Sequence, residues 1–163
     1  MGFWTAPSCE RTRARQAHKK SDEPEEQALG RSRGGYSSKI HITVDGLGNP
    51  LRFSLTAGQC HDSTQAQSQV EGFQFERVIA DRAFAGQPFV DWLIEREIEP
   101  VIPPHQNAKQ PRDYDRWLYR ERHLVECFIN KIKHFRRIFS RFDKLARRFL
   151  GFLHFVGTLI CLR

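Results

Sequence analysis

An α/β fold is predicted by three features of the chain: an alternating apolar hairpin near residues 39–55, a strand–helix–strand unit over residues 77–102, and helical patterning from about residue 117 onward. In the first, Ile40, Ile42 and Val44 point one way, Asp45-Gly46-Leu47-Gly48-Asn49-Pro50 turns the chain, and Leu51, Phe53 and Leu55 alternate again. A polar stretch follows, in which His61-Asp62-Ser63 can cap a short helix. Arg77 to Asp81 reads as a short apolar strand ending on a carboxylate, Pro88 to Arg96 as a helix, and Pro100 to Ile102 as another strand. Strand, helix, strand favours parallel pairing. Residues 103–116 read as a loop, and the apolar run from Phe149 to Leu162 as a buried C-terminal helix.

That run is shorter than the roughly 20 residues that span a membrane and contains His154. The expectation is therefore a soluble, cytoplasmic protein without a membrane partner and without a secretory signal. At 163 residues the chain suits one domain with a real core, and 39% hydrophobic with 28% charged residues sets aside full disorder. Cys9, Cys60, Cys127 and Cys161 form no close pair, so neither a zinc site nor a disulfide framework is indicated. The net charge of +7, from 26 basic and 19 acidic residues, suggests a polyanionic partner, nucleic acid first. It is unevenly placed: residues 1–20 carry five basic and one acidic residue, residues 21–104 seven and thirteen, residues 105–163 fourteen and five. Residues 1–37 are expected to be irregular, 19–37 as an exposed connector and 2–18 as a basic arm able to touch phosphate.

The segment 117–139, read as one helix, is the most informative. At 100° per residue, Tyr119, Arg122, Glu126 and Lys133 share a sector of about 60°, while Leu124, Phe128, Ile132, Phe135 and Phe139 lie opposite, where they can pack on a sheet. An acid among cations on a presented face suits phosphoryl transfer, the carboxylate holding a divalent metal and the cations phosphate oxygens. An ordinary i, i+4 salt-bridge face explains Arg122 and Glu126 equally well on helix geometry alone.

The spacing Tyr119-x2-Arg122-x3-Glu126-x6-Lys133 resembles the Tyr-x2-Arg-x3-Glu-x6-Lys signature of bacterial insertion-sequence transposases of the DDE type. So do six ordered blocks: GRSRGGYSSKIH (30–41), DGLGNPLRF (45–53), GQCHDSTQA (58–66), VIADRAF (78–84), VIPP (101–104) and FDKLARRFLGFL (142–153). The likeness covers roughly residues 20–163, the downstream half of such an enzyme. It implies a ribonuclease H-like core in which three carboxylates hold divalent ions, Mg2+ or Mn2+. Asp81 matches the second catalytic Asp, with Phe84 where the family more often has Tyr, and Glu126 matches the catalytic Glu. Asp81 also stands at the carboxyl end of an apolar strand, where open α/β sheets put their ligands. Tyr119, Arg122 and Lys133 would contact phosphates near the transposon end. Arg136 and Arg137 open a basic stretch, continued by Arg141, Lys144, Arg147 and Arg148, that gains a DNA-backbone role beside Glu126. The implied activity is DNA transposition, by strand cleavage and strand transfer on double-stranded DNA of transposon ends and target. A homodimer or a full-length transposase is the expected protein partner, in a nucleoid-associated setting.

The family's first Asp, expected upstream of the Gly-rich block, has no counterpart: residues 2–18 hold one acid, Glu10, without strand alternation. The core is accordingly expected to lack its first strand, to leave an unpaired edge beside the Asp81 strand, and to be impaired in cleavage. The genetic code adds a reading. Trp has only the codon TGG and Thr begins AC, so Trp4-Thr5 read from the third codon position gives GAC, an Asp. In that frame, suitable wobble bases turn residues 3–18 into L-D-S-T-I-V-R-A-H-x-x-A-A-G-A-Q, which resembles the family's first-Asp strand. The start of the chain then reads as out of frame, either because two frames are joined by programmed slippage or because the gene is decaying. The alternatives are a catalytically inactive DNA-binding fragment and a nuclease of the same fold. His41 and His61 are read as structural or capping residues, since consecutive His61-Asp62-Ser63 cannot form a triad.

Overall fold

The computed structural model describes residues 4–14, 27–32, 35–108 and 111–162, with backbone alone for 4–14 and for Ser32. The hairpin is realised by β3 (Gly35–Asp45) and β4 (Pro50–Ala57), antiparallel in the register Ile40↔Leu55 and Ile42↔Phe53. Its turn is built by Asp45, whose carboxylate accepts the amides of Leu47 and Asn49, both at 2.8 Å. Gly48 occupies the left-handed region there, φ +82°, which costs glycine nothing. The strand–helix–strand unit is β5 (Arg77–Ile79), α2 (Gln87–Ile94) and β6 (Glu99–Val101), with β5 and β6 parallel as the sequence predicts.

The N-terminal expectation is corrected. Trp4–Ala14 is an eleven-residue strand, β1, antiparallel to β3 and parallel to β5 at Thr5↔Ile79. A first strand is therefore present, and it fills the edge that would otherwise be left open beside β5. Strand pairing is satisfied by backbone N–H and C=O groups, so a slot between two strands can be filled by a segment with no apolar alternation. The connector is corrected in part as well, since Gly30–Ser32 forms β2 against the start of β3 and Ser37 is buried. The path runs β2-β3-β1-β5-β6, with β4 also on β3 and the short β7 (Ser140–Arg141) on β1.

Helices cover both faces of this mixed sheet. One face of β3, with Ile40, Ile42 and Val44, packs with Phe53 under α3 (His123–Lys133) and α5 (Ala146–Cys161), through Val125, Phe128, Ile129, Ile132, Phe149, Leu153 and Val156. On the other side, Val78 and Ala80 pack with Phe89, Val90 and Leu93 of α2 and with Val70 of the short α1 (Ala66–Val70). The polar positions of β3 are buried too, contrary to a simple in–out alternation. Thr43 donates to the Gln69 side chain at 3.0 Å and Lys39 pairs with Asp62 at 2.7 Å. His41 meets Thr56 Oγ1 through Nε2 at 2.8 Å, while its Nδ1 has no partner among the described residues. Burial pushes the His41 pKa down, which keeps it neutral and in the structural role expected of it. His61 caps the turn at Asp62–Gln65, its Nδ1 accepting the Ser63 amide at 3.3 Å, as read from sequence.

Candidate functional site

Two elements converge at the carboxyl end of β5. Asp81 directly precedes a 3-10 turn, Arg82–Phe84, but its side chain makes no cap hydrogen bond, so the carboxylate is not spent on the turn. Opposite it, the chain enters the segment 115–133 through Asp115, whose Oδ1 accepts the amides of Trp117 at 2.8 Å and Leu118 at 2.9 Å. This cap starts a 3-10 turn at Leu118–Arg122 that continues into α3. Side chains three apart eclipse in a 3-10 turn, so Tyr119 and Arg122 project together. Glu126, four residues on in regular α-helix, returns to Arg122.

The result is one hydrogen-bonded constellation. Tyr119 donates its hydroxyl to Asp81 Oδ1 at 3.3 Å. Arg122 Nη1 lies 3.2 Å from Asp81 Oδ1 and 3.4 Å from Oδ2, while its Nη2 donates to Glu126 Oε1 at 2.6 Å. Tyr114 stacks edge-on to Tyr119 at 5.7 Å and limits where that ring can go. Burial, and then the Asp81 charge, pushes the Tyr119 hydroxyl above its ordinary value, so it remains a donor at neutral pH. Burial alone would lower Arg122, but Asp81 and Glu126 outweigh it and hold the guanidinium protonated. The side chains are 27% exposed for Arg122, 37% for Asp81 and 51% for Glu126, so the constellation opens to solvent on one side.

The other basic candidates stand apart. Lys133 is half-buried in the last turn of α3, about 10 Å along the axis from Glu126 at 1.5 Å per residue. The single helix predicted over 117–139 is broken: α3 ends at Lys133, and Arg136–Phe139 is a separate short helix, α4. The break rotates Phe139 out to 66% exposure and buries Ile138 instead, so the predicted packing of Phe139 is corrected. Arg136 is exposed, whereas Arg137 is held by Asp143 in a two-point pair at 2.8 and 2.5 Å. Arg141 is withdrawn from any DNA surface: it is 1% exposed and donates to the carbonyls of Asp143 and Lys144 at 2.9 and 3.0 Å and to Ser38 Oγ. Sequence reading also missed Asp115 as the residue that launches the Tyr119 turn. The signal was there, an Asp two and three residues ahead of amides with no partner yet.

The chemistry of the pair can be tested against a divalent cation. Asp81 and Glu126 offer hard oxygen donors, the kind Mg2+ and Mn2+ take, and two carboxylates completed by water and phosphate suffice for one ion. They fall short of three, for among the described residues no three His, Cys, Asp or Glu side chains gather in one place. Likewise, no described helix is long and apolar enough to cross a membrane.

Comparison with known proteins identifies a family and relatives for the chain as a whole. The family described as transposase DDE domain matches residues 10–160. A candidate transposase for insertion sequence element IS6501 of Brucella ovis is 35% identical over 131 residues, covering 78% of this chain and 99% of that protein. A second, for insertion sequence element IS402 of Burkholderia cepacia, is 33% identical over 136 residues, 76% of this chain; the chain spans only 62% of that relative's length. No solved structure matches the chain. With the match spanning nearly all of it, this chain belongs to the transposase DDE domain family, among the bacterial insertion-sequence transposases.

Proposed function

We propose that this chain is the catalytic portion of an insertion-sequence transposase, a ribonuclease H-like core that binds double-stranded DNA at transposon ends and target and acts in strand cleavage and strand transfer. The observation that carries the reading is the single guanidinium of Arg122 joining Asp81, at a strand end, to Glu126, on the helix packed against that sheet. Asp81 and Glu126 are the residues that would hold Mg2+ or Mn2+. Such an ion would supply positive charge to activate a hydroxyl nucleophile and to stabilise the leaving oxygen. Tyr119 would keep one Asp81 oxygen oriented, Arg122 and, farther along α3, Lys133 would hold phosphate oxygens, and exposed Arg136 would extend the basic surface. Arg137 contributes to DNA only by giving up Asp143, so its part is the smallest.

The chain as written is proposed to be impaired, because no Asp lies in residues 4–14. The out-of-frame reading gains support from the register of β1. The Asp encoded across Trp4-Thr5 in the alternative frame falls at the start of β1, next to the Thr5↔Ile79 pairing with the strand that leads to Asp81. A third acid there would stand beside the pair that Arg122 joins. The test is electrophoresis of an end-labelled insertion-sequence terminus with magnesium. Salt-sensitive binding with little cleavage is expected from the chain as written, and any residual cleavage should vanish in Asp81→Asn and Glu126→Gln. Cleavage that survives both substitutions, or no binding to DNA at low salt, contradicts the proposal.

A further inference from the structure

We propose that Arg122 and a divalent cation are alternative occupants of the Asp81–Glu126 pair, so that Arg122 keeps the acids closed to metal until a phosphate draws the guanidinium away. The inference rests on reading these two carboxylates as the metal-holding acids. It goes further by assigning Arg122 a regulatory role at that site.

The geometry leaves little room for joint occupancy. Both Asp81 oxygens lie within 3.4 Å of Nη1, and Glu126 Oε1 lies 2.6 Å from Nη2, so the guanidinium sits where the two carboxylates meet. One Asp81 oxygen is engaged by Tyr119 as well. A cation approaching the same oxygens meets the positive charge of the guanidinium already seated on them, and like charges at contact oppose each other. Arg122 can leave. It ends a 3-10 turn, its side chain is about a quarter exposed, and its backbone is secured without the guanidinium. A phosphate diester offers it a two-point, charge-assisted alternative. Reciprocity then follows from linkage: whatever takes Arg122 from the acids raises their metal affinity, and metal on the acids frees Arg122 for phosphate. The chain without DNA is a weak metal binder, and the acids become available to metal when the DNA backbone is in place. Arg122 is in this respect a positioning residue whose absence strengthens a binding event, a sign that a merely structural role would not give.

The test is a titration of the whole chain with Mn2+, reading the free-ion signal by electron paramagnetic resonance. Arg122→Gln should bind Mn2+ about fivefold to thirtyfold more tightly than the unaltered chain, the equivalent of ~1–2 kcal/mol for two partly exposed ion pairs. Asp81→Asn should bind it no better than background. Unchanged or weaker binding in Arg122→Gln overturns the proposal, and leaves the reading of Asp81 and Glu126 intact if Asp81→Asn still abolishes binding. Absence of Mn2+ binding in both the unaltered and the Arg122→Gln chains overturns this proposal and that reading together. A second measurement needs no variant: the unaltered chain with a short DNA duplex should take up Mn2+ more tightly than the sum of chain alone and duplex alone. No gain over that sum overturns the proposal.

Discussion

Arg141→Met should destabilise the chain by about 2–5 kcal/mol, although sequence places Arg141 in a solvated basic stretch. Three short hydrogen bonds leave its guanidinium for the carbonyls of Asp143 and Lys144 and the hydroxyl of Ser38, a fourth reaches the Ala28 carbonyl at 3.5 Å, and the guanidinium carbon lies 5.2 Å from the Phe149 ring centre. Bonds from a charged donor contribute ~1.5–3 kcal/mol each, roughly 5–9 kcal/mol in all. Against that stands the burial of the charge, which lowers the Arg141 pKa to about 10 and leaves it protonated at neutral pH. A drop of that size corresponds to about 3 kcal/mol, which methionine recovers. The hydrogen bonds win because the fully buried Ser38 hydroxyl and the part-buried carbonyls of Asp143 and Lys144 lose their donor when the guanidinium goes. Urea unfolding followed by tryptophan fluorescence measures the difference, with the slope unchanged if only stability moves. At ~2–4 °C per kcal/mol for a chain of this size, the melting temperature should fall by roughly 5–20 °C. Arg141→Lys keeps the charge but not the planar fork, and should lose most of the same stability. A change within ~0.5 kcal/mol for Arg141→Met, the usual range for surface sites, would refute the reasoning.

Phe139→Ser should alter stability by less than ~0.5 kcal/mol, whereas Ile138→Ala should cost ~2–4 kcal/mol, both read by the same urea titration; the reverse order would restore a continuous helix over 117–139. Gly58→Ala should cost ~1–3 kcal/mol, because a Cβ there would stand 2.1 Å from Ser37 Oγ and 2.9 Å from its backbone carbonyl; an unchanged melting temperature contradicts this. The Arg137 hydrogen bond holds the Asp143 pKa below its ordinary 3.8, so this pair's contribution is present in full above that value and is lost as pH falls through the lower folded value. Asp143→Asn should therefore flatten the acid limb of the stability profile below about pH 4, and an unchanged limb counts against the pairing.

The parts of the fold legible in the sequence were those driven by apolar pattern. Ile40, Ile42 and Val44 announced the hairpin, Val78 and Ile79 the parallel strand, and Phe149, Leu153 and Val156 the C-terminal helix. β1 was illegible because its place is secured by backbone pairing on both sides, with no side-chain period to read. Tyr119, Arg122 and Glu126 were placed together correctly, though through a 3-10 turn running into an α-helix and not through one continuous helix. Composition gave no warning that the run from Arg136 to Arg148 divides its roles: Arg136 faces solvent, Arg137 serves Asp143 and Arg141 is interior. Only tertiary contacts separate arginines that read alike.

The claim at the centre of this account is that Asp81 and Glu126, gathered by Arg122, are two parts of a three-acid site whose third acid is lost in the present reading of residues 3–18. A single paired measurement addresses it: Mn2+-supported cleavage of an insertion-sequence terminus by the chain as written and by the same chain with residues 3–18 recoded in the alternative frame. The account predicts cleavage from the recoded chain, abolished by Asp81→Asn, and next to none from the chain as written. Equal cleavage by the two chains, or a recoded chain as inert as the original, would contradict it.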